Sequence, residues 1–375
     1  MSLTPIPGAR PTFHEADIES ILAEIGQVLR GGRLILGPKL RAMEEAWAAR
    51  VGTKHAVGVS SCTAALEIAY RHYGVAGREV IVPTNTFVAT ANAAIAAGAK
   101  VVFCDMSAED YCLEVDDALS RITPNTAAIV NVHIAGFVSA KSKKLREVCQ
   151  ERGIKLIEDC AHAHGSTLGG KEAGSLGDAG CFSLYPTKVL TCGVGGVLTT
   201  DDDELAAFGR SMRHHGQGAS LEAIENPGND WMLDEVRAVL AHHQLRSLDG
   251  FLEARRALAK HYDDRLRGDA TFELPTIAQG CEAAYYKYPV LLPEGADGGT
   301  IRRRVFEADK IEIGSLYYPP CHLMPVFQRA LGTGPGMLPT AERLLKRQIC
   351  LPMHVAVDLA GADRSIEAVK RALSA

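Results

Sequence analysis

Over its first two hundred residues the chain alternates short, almost continuously apolar runs with helical segments, and this alternation limits the folds open to it. Ala56-Val57-Gly58-Val59, Val80-Ile81-Val82, Val101-Val102-Phe103, Ala127 to Val132, Lys155-Leu156-Ile157, Cys181-Phe182-Ser183-Leu184 and Val197-Leu198-Thr199 read as strands. Between them, Thr63 to Tyr73, Val88 to Ala97 and Lys141 to Arg152 read as helices; in the first, Leu66, Ala69, Tyr70 and Tyr73 recur at three- and four-residue spacing. Strands apolar on both faces and joined through helices predict a mostly parallel sheet covered on both sides, an α/β fold. Ligands of such sheets lie beyond the carboxyl ends of the strands, so the residues just after each run are the candidates for chemistry. After Asp201 the pattern changes: Glu235 to Leu266 is helical and Tyr285 to Leu292 strand-like. A stretch holding Pro319, Pro320, Pro325, Pro335 and Pro339 follows, and Ile366 to Leu373 reads as a closing helix. The expected division is a large domain over residues 1–250 and a smaller α+β domain over 251–375.

Composition narrows the partners. The 375 residues carry a net charge of -5, with 47% hydrophobic and 23% charged residues, which fits a folded globular chain. Acids and bases are mixed, and the clusters Lys141-Ser142-Lys143-Lys144 and Arg302-Arg303-Arg304 read as solvated helix faces, so no nucleic-acid footprint is present. No apolar run approaches the roughly 18 residues of a membrane span, and Met1 to Pro11 does not read as a secretory signal. The ten cysteines are scattered singly from Cys62 to Cys350 without a C-x-x-C pair, which argues against a zinc knuckle and for a reducing, cytoplasmic setting.

Four strand ends stand out. Ser60-Ser61-Cys62-Thr63 joins a strand to a helix start, where free N–H groups and the helix dipole suit a phosphate; an ordinary Ser/Thr cap has the same residues. Asp159 closes an apolar strand, and a partly desolvated carboxylate there needs a cationic partner or serves as a helix cap. Lys188, in Phe182-Ser183-Leu184-Tyr185-Pro186-Thr187-Lys188, lies just past another strand; apolar surroundings would make it a nucleophilic amine, while a snorkelling lysine is the plainer alternative. Gly193-Val194-Gly195-Gly196 lets the backbone pass close to a ligand. Asp159, His162 and His164 could instead hold a metal, though further ligands at sensible spacing are missing. A phosphate cradle, a buried acid, a lysine and an aromatic, Phe87, together form the set that pyridoxal 5'-phosphate requires.

At these residues the chain resembles the DegT/DnrJ/EryC1/StrS family of sugar aminotransferases. The resemblance runs from Ile35-Leu36-Gly37-Pro38 and Gly52-Thr53-Lys54-His55-Ala56-Val57 through Pro83-Thr84-Asn85-Thr86-Phe87-Val88-Ala89-Thr90. Ile157 to Gly165, Gly174-Ser175-Leu176-Gly177-Asp178 and the lysine segment carry it most specifically, and Leu351-Pro352-Met353-His354 closes it. It implies fold type I, with a large seven-stranded domain and a small C-terminal one, acting as a homodimer with shared active sites. It implies that Lys188 is the Schiff-base lysine and proton shuttle, that Asp159 pairs with the pyridine nitrogen and that Phe87 stacks on the ring. Ser61, Cys62, Thr63 and Ser183 would hold the phosphate and His162 would lie near the phenolic oxygen; either Asn229 reaches the partner's site through a slipped register, or that partner contact is lost.

The implied reaction moves an amino group from glutamate or glutamine, through the pyridoxamine form of the cofactor, to a keto sugar, nucleotide-linked, or a related cyclic ketone. Tyr317, Tyr318 and His322 are substrate-cleft candidates; a Pro-rich crossing between strands is their structural alternative. Three departures mark this chain: Cys62 replaces the Gly of S-G-T, Asp230 and Met232 replace the Asn and Arg of G-x-N-x-R-M, and Phe137 replaces the Gln of V-H-x-x-G-Q. Asp230 and Met232 motivate a second reading, a non-catalytic sensor or regulator on the same fold. Other sugar-modifying chemistry on this cofactor is a further alternative, and Lys188 argues against the dehydratase branch, which carries His in place of the lysine.

Overall fold

The computed structural model describes residues 4–218, 220 and 222–374. Seven strands form the large sheet: β1 (His55–Val59), β2 (Glu79–Pro83), β3 (Lys100–Cys104), β4 (Thr126–Val132), β5 (Lys155–Asp159), β6 (Ala179–Ser183) and β7 (Gly196–Thr200). Their order is β1-β7-β6-β5-β4-β2-β3. The β3-β2-β4-β5-β6 block is parallel, and β7 runs antiparallel to both β6 and β1. The expected α/β architecture is therefore present, with all of β2, β4, β6 and β7 buried as continuous apolar strands require.

Register brings the candidate residues to one edge. Val132 pairs with Asp159, Asp159 with Cys181, Ser183 with Gly196 and Gly196 with Val59. The antiparallel β7 contributes its amino end to this edge because the loop from Tyr185 to Gly195 turns the chain back. At Gly196 the backbones nearly touch: a Cβ there would lie 2.3 Å from the Ser61 carbonyl carbon and 2.5 Å from the Cys62 nitrogen. Only glycine lets β7 pass under the start of the Cys62–His72 helix, which Ser61 caps by accepting the Ala64 N–H at 3.1 Å.

A second, two-stranded antiparallel sheet pairs β8 (Tyr288–Leu291) with β9 (Gln348–Leu351). It shares a core with the helices Gly298–Asp309 and Leu359–Ser374, through Val290, Ile301, Val305, Ile349 and Ile366. The long helix read from Glu235 to Leu266 is two helices, Glu235–Arg246 and Leu248–Leu266, broken at Ser247, whose hydroxyl donates to Asp17 at 2.9 Å. The second of these packs Leu248, Phe251 and Leu252 into a core of the large sheet, and Leu258, Tyr262 and Leu266 into that of the small one. Residue 250 falls inside it. The strand read over Tyr285–Leu292 is shorter, Tyr288–Leu291, since Tyr285 takes a left-handed conformation (φ 46°) that interrupts extended pairing. Helices that went unread in the sequence include Glu15–Gly31, Pro38–Val51, Asp203–Met212 and Gly298–Asp309. Among the described residues no helix is long and apolar enough to cross a membrane.

Replacing Gly196 with Ala forces the Ser61–Cys62 backbone to shift. G196A is expected to lower stability by on the order of 1–3 kcal/mol, read by urea or thermal unfolding; an unchanged midpoint would show that the loop yields freely.

Candidate active site

The edge residues enclose a cleft of about 290 Å³. Asp159 lies at its base, 6% exposed. Its Oδ2 accepts from the Thr90 hydroxyl at 2.8 Å, and its Oδ1 from the Ala161 N–H at 3.1 Å. Thr90 is in turn 2.8–2.7 Å from its two neighbours, Asp159 and the Thr86 hydroxyl. Among the described ion pairs Asp159 has no cationic partner. Cys62 Sγ stands 3.4 Å from the Cys181 carbonyl and 3.9 Å from Asp159 Oδ1. Burial, with Asp159 and Cys181 nearby, pushes its thiol well up, so it stays protonated as a weak donor.

Ser61, Cys62 and Thr63, at the start of the Cys62–His72 helix where the first N–H groups have no intrahelical partner, line the same cleft, as does Ser183 at the end of β6. Lys188 is half-buried on another wall, its Nζ 4.6 Å from the centre of the Tyr286 ring. Burial raises the Tyr286 phenol, but Lys188, Lys287 and a hydrogen bond with Thr187 outweigh it and leave the phenol below its ordinary value. Phe87 caps the mouth, 56% exposed, with its ring centre 5.8 Å from that of Tyr317.

His162 is locked in one form. Its Nδ1 accepts the Ala135 N–H at 3.2 Å, and its Nε2 lies 2.9 Å from the Tyr317 hydroxyl. Burial, then Lys188 and Lys287, hold its basicity well below the ordinary value, so the ring is neutral. With Nδ1 accepting, the proton sits on Nε2 and is donated to Tyr317, whose own hydroxyl hydrogen is left to point elsewhere. Burial, with Tyr286 and Asp159, raises the Tyr317 phenol well above its usual range and keeps that hydrogen in place.

Other expected site residues lie elsewhere. His322 is fully buried outside the cleft, bridging Thr84 Oγ1 at 2.7 Å and Glu342 Oε1 at 3.0 Å, which makes it a structural link in the short turn Cys321–Leu323. Tyr318 is 46% exposed and does not line the cleft. Asn229 is also outside the cleft of its own chain; its side-chain oxygen accepts the Asp230 N–H at 2.8 Å. Asp159, His162 and His164 do not present ligand atoms to a common point: His164 turns away, wedged against Trp47 and Phe182 with neither ring nitrogen partnered. A different group, His133, Glu158 and Cys160, is close enough for a metal, but Glu158 is occupied by His133 and by the Gly174, Leu176 and Gly177 N–H groups.

Sequence reasoning missed Thr90, Tyr286 and Lys287 as cleft residues. Thr90 stands inside the quoted Pro83–Thr90 segment, one helical turn after Phe87, and that spacing was the available signal. Tyr286 and Lys287 reach the cleft only because the chain bends at Tyr285, and no local pattern announces this.

A family profile described as the DegT/DnrJ/EryC1/StrS aminotransferase family matches residues 15–370. The chain belongs to this family. It is 37% identical, over 96% of each chain, to the dTDP-3-amino-3,4,6-trideoxy-alpha-D-glucose transaminase of Micromonospora megalomicea subsp. nigra. Its fold superposes on the aminotransferase TlmJ from Streptoalloteichus hindustanus with a TM-score of 0.91, at 31% identity over 99% of both chains. It likewise matches the PLP-form of a sugar aminotransferase, Spr1654, from Streptococcus pneumoniae, with a TM-score of 0.90 at 27% identity over 99% of both chains. The chain is thus a pyridoxal phosphate-dependent aminotransferase of fold type I, acting in sugar transamination. Its residues fit that cofactor: a buried carboxylate without a cationic partner, a lysine amine and open helix N–H groups face one cleft.

The histidines make stability fall in acid. Burial holds His164 down to about 3, and His162 also lies well below its ordinary value. The unfolded chain therefore takes up protons near pH 6.5 that the folded chain refuses, and stability declines as pH drops below that value. Each such histidine contributes about 1.4 kcal/mol per pH unit, so H164Q is expected to lessen the loss between pH 7 and pH 5 by about 2 kcal/mol in urea unfolding.

Proposed function

We propose that this aminotransferase takes nitrogen from glutamate or glutamine and delivers it to a nucleotide-linked keto sugar. The observation that carries the reading is Asp159, a buried carboxylate with no cationic partner among the described ion pairs, facing the half-buried Lys188 across a cleft with aromatic walls. The Micromonospora relative is named for a dTDP-linked sugar, and Phe87 and Tyr317 give this chain's cleft aromatic faces.

Bound in the cleft, pyridoxal phosphate supplies a carbonyl carbon that joins amines and a conjugated ring that takes up electrons. In this reading Asp159 keeps the proton on the ring nitrogen, held in place by Thr90 and the Ala161 N–H. Ser61, Cys62, Thr63 and Ser183 cradle the phosphate, and Phe87 covers the ring. Lys188 Nζ would be the amine that holds the cofactor, and it is placed to take up and return a proton at the substrate's reacting carbon. His162 donates to Tyr317, so that the Tyr317 hydroxyl hydrogen is aimed at the phenolic oxygen or the substrate. Asn229 serves the partner's site in a homodimer. Residues 1–250 act as the cofactor-binding unit and 251–375 as the smaller unit that completes the cleft.

Wild-type protein incubated with pyridoxal phosphate is expected to show the visible band of a lysine-bound cofactor. Borohydride should then fix the cofactor on the peptide holding Lys188, and glutamate should convert the band. D159N should retain the cofactor and lose about 10²- to 10⁴-fold in turnover. Labelling at a lysine other than Lys188, or a D159N enzyme as fast as wild type, would refute the assignment.

A further inference from the structure

The cleft holds a second ammonium group that the reading above leaves without work. Lys287 stands just before β8, half-buried and lining the cleft, with its Nζ 5.8 Å from the centre of the same Tyr286 ring that Lys188 overlies at 4.6 Å. Its Nζ donates to the Ser315 carbonyl, and among the described ion pairs it has no carboxylate partner. Its backbone is held in place: the Lys287 N–H donates to the Ala135 carbonyl at 3.5 Å, the Tyr285 carbonyl accepts from Arg255 at 3.0 Å, and Tyr288 pairs with Leu351. A cation drawn partly out of water and left with one neutral acceptor favours an anion beside it.

Topology says which anion that is. The phosphate cradle follows β1, whereas Lys287 is bonded to the segment that follows β4; β7, β6 and β5 lie between the two in the sheet. Lys287 is thus placed away from the strand end proposed to hold the cofactor's phosphate. Because Lys188 and Lys287 share one aromatic ring, an anion on Lys287 lies close to the atom that Lys188 serves. An α-carboxylate is one bond from the reacting carbon of an amino acid. A sugar's diphosphate is separated from its reacting carbon by part of the sugar ring.

Resting on the aminotransferase reading of the cleft, we infer that Lys287 binds the α-carboxylate of the amino donor.

The test uses the cofactor-loaded enzyme, with glutarate as a carboxylate probe and dTDP as a diphosphate probe, each titrated against the cofactor's absorption band. K287Q is expected to weaken glutarate binding by roughly 10- to 100-fold, leaving dTDP binding and the band itself unchanged; K287R should restore most of the glutarate affinity. Loss of dTDP affinity with glutarate unaffected would overturn the inference and assign Lys287 to a diphosphate. Equal affinities in K287Q and wild type would also overturn it, reducing Lys287 to a support for the Ser315 loop. The parent reading fails separately, by wild-type protein that never acquires the band.

Discussion

A carboxylate removed from water at the end of a central strand is costly unless something answers its charge, and Asp159 organises the structure around that demand. Other buried acids of this chain are answered internally. Glu235 accepts the Gly37, Lys39 and Leu40 N–H groups and so caps a helix; Glu158 takes three backbone donors and His133; Glu44 is paired with Arg213. Asp159 receives one hydroxyl, one N–H and a distant thiol, and faces a cleft. The strands on either side of β5 are in register so that their loops converge on that unfinished carboxylate, which leaves it able to answer a cationic group on a ligand.

Convergence also explains what the sequence made legible. Strand identity follows from apolar runs too short for helices, and the site from the residues just beyond them, so Ser61, Asp159 and Lys188 could be picked out before their distances were known. Tyr318 and His322 were chosen on a different ground, their place in a polar, proline-rich loop. Such a loop can turn either way: Tyr317 faces the cleft, whereas His322 is consumed by Thr84 and Glu342. Thr90, Tyr286 and Lys287 act through contacts made across the fold, and no local periodicity encodes those. The break at Ser247 was equally invisible; its one side-chain partner, Asp17, lies 230 residues away in sequence.

The histidine between the two aromatic rings shows how local chemistry is set by neighbours of both signs. His162 stacks within 4.1 Å of Tyr286, and Lys188 and Lys287 stand close enough to disfavour a third positive charge. Its backbone donor at Ala135 then fixes which nitrogen keeps the proton. Ala135 itself has a left-handed conformation (φ 57°), uncommon for a residue with a side chain, and this geometry aims its N–H at the ring. One strained residue thus determines the direction of the His162–Tyr317 hydrogen bond.

Arg255 joins these parts. Only 5% exposed, it donates to the Tyr285 carbonyl at 3.0 Å and the Met353 carbonyl at 2.9 Å, and burial pushes it down to about 10, which still leaves it charged at neutral pH. It projects from the Leu248–Leu266 helix, whose two ends belong to different cores, and grips the segments leading into β8 and out of β9. The bend that carries Tyr286 and Lys287 into the cleft is therefore tied to the helix that both sheets share. The net charge of -5 conceals this arrangement: the cleft is locally positive, with Lys188 and Lys287 against a single carboxylate. It can thus receive a phosphorylated cofactor and an anionic substrate in a protein that is acidic as a whole.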